Sequence, residues 1–94
     1  MKKEATATVK LQPQERTGEY LFNGQIVMTV NFQNIFGDRC FYIILESLAQ
    51  IRALILKGGA DYFQALSYNE TRYWCLQDSP KSGELITFLM PSDY

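Results

Sequence analysis

The stretch Asp38–Leu56, DRCFYIILESLAQIRALIL, limits the possible folds more than any other part of the chain. It is the longest apolar-rich segment and the only one long enough for a substantial helix, whereas the segments before it and after Glu70 read as strands. Leu48, Ile51, Arg52 and Ile55 fall on one helical stripe, and Phe41, Ile44 and Leu45 extend it backwards at three- and four-residue steps. Glu46, Gln50, Ala53 and Lys57 suit the solvent side. Gly58-Gly59 ends the helix because glycine enters the left-handed cap without a Cβ clash, and Lys57 meets the negative end of the dipole.

Two starts fit this helix. Asp38 after Gly37 can serve as N-cap. Alternatively Ser47 caps, with Gln50 completing a Ser-x-x-Gln box, and Cys40–Leu45 is then a β-prone strand. The reading adopted is a helix over Ser47–Leu56 that reaches back toward Arg39.

Around it, alternation marks the strands. In Glu4–Leu11, residues Ala5, Ala7, Val9 and Leu11 point one way, and Pro13 ends the run. Tyr20-Leu21-Phe22 opens a short strand before Asn23-Gly24, a strong hairpin signal. Gln25–Gln33 alternates again, with Ile26, Met28, Val30 and Phe32 on one face, and Asn34–Gly37 turns into the helix. Beyond Gly59, Ala60–Leu66 reads as a short second helix that Ser67–Asn69 breaks. Glu70–Gln77 is a strand carrying Trp74, Asp78–Gly83 a turn, and Glu84–Met90 the last strand, closed by Pro91.

The fold class that follows is α+β: a two-layer sandwich with one main helix on an antiparallel sheet of about four strands, in ββαββ order. The 94 residues make a single domain, 1–94. The inner face of the sheet takes Val9, Leu11, Met28, Val30, Phe32, Trp74 and Leu76.

Composition narrows the function. Histidine is absent, which removes the commonest general base and neutral metal ligand. Cys40 and Cys75 are far apart in sequence and lie in apolar surroundings, so they read as two buried free thiols and not as a zinc site or a disulfide. Glu46, Asp61 and Glu70 read as solvated charges. No glycine-rich phosphate loop precedes a helix. The net charge of −1, with no basic run beyond Lys2-Lys3, argues against nucleic acid. No apolar run approaches the roughly 20 residues that span a bilayer, and no apolar segment follows the charged start as in a signal peptide. The expectation is a cytoplasmic, non-enzymatic protein with no cofactor and no metal.

Apolar side chains occupy both faces of the C-terminal strands. With one face on the helix, Tyr73, Cys75, Ile86, Phe88 and Met90 are expected on the other, covered either by the chain's own Ala60–Leu66 segment or N-terminal residues, or by another protein or a second copy of the chain. The alternative is a small-molecule pocket between helix and sheet, lined by Arg52, Tyr62 and Trp74. Arg52 on the apolar stripe either snorkels at the edge of the layer or pairs with an acid such as Glu70.

The runs ESLAQIRALIL and RYWCLQDSPKSGELITFLMP resemble the layout of small uncharacterised bacterial proteins of immunity or inhibitor type, through Ser47, Gln50, Leu54, Trp74, Asp78 and Pro91. The likeness covers roughly the second half, and a glycine usual before the capping acid is replaced here by Leu45. It implies a binding role, as an immunity or inhibitor protein in a bacterial or phage conflict system.

Overall fold

Thr29 decides how the middle of the chain folds. Its backbone is extended (φ −74°, ψ 161°) and its hydroxyl accepts the N–H of Phe32, so Val30–Phe36 begins as a helix, α1, instead of continuing a strand. Phe32 and Phe36, four residues apart, both enter the core from α1. A single 3-10 turn, Gly37–Arg39, leads into α2, Cys40–Lys57. Gly58-Gly59 ends α2 as expected. The N–H groups of Gly58 and Gly59 bond the carbonyls of Ile55 and Leu54, and Gly59 takes φ 126°.

The computed structural model describes residues 8–12, 21–22, 24–77 and 85–94. The expected positions Ala5, Ala7, Pro13, Tyr20 and Asn23, the connection Gln14–Gly18 and the turn Asp78–Gly83 lie outside them.

The strands are β1 (Val9–Leu11), β2 (Gln25–Met28), β3 (Phe63–Tyr68), β4 (Thr71–Gln77) and β5 (Leu85–Leu89). They form one five-stranded sheet in the order β1-β3-β4-β5-β2. Three pairings are antiparallel, but β2 runs parallel to β5, with Ile26 opposite Ile86 and Met28 opposite Phe88. The helical segment carries the chain from the edge strand β2 across β5 and β4 to β3, next to the opposite edge. The result is an α+β arrangement of helix on mixed sheet, with one strand more than expected.

Alternation with respect to the helices fixes the inner face of the sheet. Leu66, Tyr73, Cys75, Ile86 and Phe88 have no exposure, and Val9, Tyr68 and Met90 are nearly as buried. The rings of Phe32 and Tyr73 meet edge-on at 5.5 Å, and Phe32 also meets Phe36 at 4.9 Å. From α2, Cys40, Ile43, Ile44, Ser47, Leu48, Ile51 and Leu54 close the core.

Four expectations are corrected. Gln25–Gln33 is a strand only as far as Met28, and Val30, expected inside, is 70% exposed on α1. Ala60–Leu66 is not a helix; β3 covers most of it and pairs with β4 through Leu66 opposite Tyr73. Ser47 caps nothing. It lies inside α2, and its hydroxyl donates to the carbonyl of Ile43 at 2.6 Å. Leu21 and Phe22 belong to no strand.

Candidate protein-docking surface

Both thiols and the phenol of Tyr73 lie in the interior. Cys40 and Cys75 are buried free thiols, and burial pushes both above the ordinary thiol range. Burial likewise holds the Tyr73 phenol far above its usual range, and it shares a hydrogen bond with Ser47 inside the core. Among the described residues no cluster of three His, Cys, Asp or Glu could hold a metal ion. No described helix is long and apolar enough to cross a membrane.

The partner residues expected on the C-terminal strands sit on the opposite face from the one anticipated. Tyr73, Cys75, Ile86, Phe88 and Met90 all lie under the helices. Both parities of these strands are apolar, so alternation alone cannot orient them. Orientation comes from the register, in which Cys75 opposes Phe88 and Gln77 opposes Ile86. The outer face carries the alternate set instead: Phe63, Trp74, Leu76, Thr87 and Leu89, with the ring of Tyr94 5.4 Å from that of Trp74.

The trio Arg52, Tyr62 and Trp74 does not line one pocket between the layers. Trp74 projects from the sheet away from the helices, and its ring meets Phe63 at 4.9 Å. Tyr62 reaches the same side through its contact with Phe63 and borders a shallow depression with Leu76, Leu85 and Thr87. Arg52 belongs to the helical layer, where its Nη2 donates to the carbonyl of Phe22 at 3.3 Å. Between the layers the space is filled by Phe32, Ile43, Ile51, Leu66 and Tyr73.

The sequence reading also misplaced the buried side of α2. The core-facing arc runs from Ile43 through Ser47 and Ile51 to Leu48, so Phe41, Leu45 and Arg52 are turned outward. At about 100° per residue, Phe41, Arg52, Leu45, Leu56, Ala49, Tyr42 and Ala53 follow one another round an outer arc of about 120°. All seven are exposed: Phe41 by 72%, Leu45 by 67% and Leu56 by 88%. Arg52 is the one charge inside the arc. Glu46 and Lys57 border it on the far side of Ala53.

An outer helical face of this composition is unusual, since a surface helix normally sets charged and polar residues opposite its core stripe. It lost attention in the sequence because every apolar position could be assigned to the core. The signal was one of excess: α2 has more apolar positions than a single buried stripe can use. Compared with protein-family models, curated protein sequences and solved structures, the chain matches none.

Proposed function

We propose that this chain is a non-enzymatic protein-binding module that docks through the outer face of α2. The observation that carries the reading is the exposed strip Phe41, Leu45, Ala49, Ala53 and Leu56, in which three large apolar side chains face water along one helix. Burying each of these three is worth about 1.5–3 kcal/mol, a gain that folding of the single chain leaves unused. A helix face of this kind is met by a helix or groove presenting apolar anchors at matching three- and four-residue steps. In this reading the protein acts as an immunity or inhibitor protein would, by occupying a surface and not by making or breaking bonds.

The test is a hydrophobic dye together with two outward substitutions, Leu45→Glu and Leu56→Glu. Neither residue is part of the core, so far-UV circular dichroism and the unfolding midpoint should stay near those of the parent. The parent should either bind the dye or bury the strip by association, and both behaviours should vanish in the double variant. A parent that is monomeric and binds no dye would rule out the docking surface.

A further inference from the structure

Resting on that docking surface, we infer that its occupant is a second copy of the chain, with the two α2 helices packed antiparallel about a twofold axis at the level of Ile51. The strip is self-complementary about that level. An antiparallel copy places Leu45 against Leu56 of the other chain, Ala49 against Ala53, and Glu46 against Lys57, each pair within about 1.5 Å along the axis at the helical rise.

The pairs also match laterally. Leu45 and Leu56 share one flank of the arc, Glu46 and Lys57 the other, and a twofold perpendicular to the helices brings like flanks together. Unlike charges therefore meet across the interface, whereas a parallel copy would set Glu46 beside the apolar flank. The two alanines lie near the centre, where small side chains let helix axes approach to about 8 Å. Antiparallel packing also opposes the two helix dipoles. Arg52 falls close to the level of the twofold, and its guanidinium donates to the carbonyl of its own Phe22. Phe41, level with position 61 of the other chain, lies beyond the end of the other helix at Lys57.

From Leu45 to Leu56 the strip covers only about three turns, well short of the roughly 800 Å² per partner of a standard stable interface. The dimer is accordingly expected to be roughly micromolar, and concentrations of hundreds of micromolar are needed to populate it fully.

Light scattering over that range should give a mass rising toward twice the 10.8 kDa of the chain, and Leu45→Glu should hold it at the single-chain value. Orientation is read by mixing two differently tagged variants, Ala49→Cys and Ala53→Cys, each of which adds one exposed thiol to the buried Cys40 and Cys75, under mild oxidation. Antiparallel packing gives mainly the mixed disulfide, whereas a parallel dimer gives the two homodisulfides and overturns the inference. Glu46→Lys should weaken the dimer a few-fold, and adding Lys57→Glu should restore it. A chain that stays monomeric yet binds the dye through Leu45 and Leu56 would overturn self-association and leave the docking surface standing for a different protein. A monomer without dye binding would overturn both.

Discussion

The hydroxyls of Ser47 and Tyr73 lie 2.5 Å apart in the buried seam between α2 and β4. Ser47 already donates its single proton to the carbonyl of Ile43, so Tyr73 is the donor between them. The chain runs phenol to serine to helix carbonyl, with no water required. This polar link crosses the apolar interior, and it pins the turn of α2 at Ser47 to the centre of the sheet.

Removing its members should have unequal effects. Tyr73→Phe deletes a donor and leaves Ser47 bonded to Ile43, at a cost of about 1 kcal/mol. Ser47→Ala strands a buried phenol and should cost about 1–3 kcal/mol. The double variant should cost less than the sum of the two, because the stranded group is gone. Urea unfolding with an unchanged slope would check this.

Phe22 is fixed in a similar way. It is fully buried with φ 51°, a conformation that side chains with a Cβ rarely adopt. Its N–H donates to Oε1 of Gln77 at 2.5 Å, and its carbonyl accepts from Arg52. Gln77→Leu leaves that N–H without its acceptor in the interior, so a loss of about 1–3 kcal/mol in chemical denaturation is expected. Arg52→Lys should cost less, since Arg52 is exposed and water can replace it.

How much of this could be read from the residues alone depended on whether a local signal was unique. Gly58-Gly59 and the β-prone runs of β4 and β5, bounded by turn residues, have one physical reading as elements, and the helix end and both strands are found there. Val30–Phe36 has two, because Val30 and Phe32 continue the alternation of Ile26 and Met28 while Phe32, Phe36 and Cys40 share a helical face. Thr29, an N-cap three residues before Phe32, tips the balance. The parallel pairing of β2 with β5 joins segments some sixty residues apart and leaves no local mark. The facing of β4 and of α2 failed for one shared reason: where both sides of an element are apolar, periodicity says that it is amphipathic or buried without saying which side meets the core. The same excess on α2 is what makes it a docking candidate.

Acid should weaken the clamp at the end of the chain. The Asp93 carboxylate accepts from the Thr29 hydroxyl at 2.6 Å, the Asn31 amide at 2.7 Å and the Met90 N–H at 3.0 Å, tying the C-terminal segment to the first turn of α1. These bonds, that from Thr29 first, hold its pKa below the ordinary 3.8. The unfolded chain thus binds the proton more readily. The stabilisation is present above the unfolded pKa and is lost as pH falls through the lower folded value. The melting temperature of the parent should exceed that of Asp93→Asn near neutral pH, with the gap closing below about pH 4. A gap independent of pH would show that the charged form of Asp93 contributes nothing.

The hairpin between β3 and β4 holds a residue poorly suited to its place. Tyr68 and Thr71 are paired, and between them Asn69 and Glu70 take φ 52° and 70°. Positive φ at both central residues of a two-residue loop is the geometry of a type I′ turn, which favours asparagine followed by glycine. Asn69 fits. Glu70 carries a Cβ into the left-handed region at a cost of about 1–2 kcal/mol. Its side chain is exposed, so replacement removes no packing. Glu70→Gly relieves the clash but adds freedom to the unfolded chain, offsetting about 0.5–1 kcal/mol of the gain. The net effect should be a stabilisation of about 0.5–1 kcal/mol, a rise of a few degrees in melting temperature for a domain of this size. Asn69→Ala should move it the other way. If Glu70→Gly were destabilising, the side chain of Glu70 would have to hold the turn by more than the strain it causes.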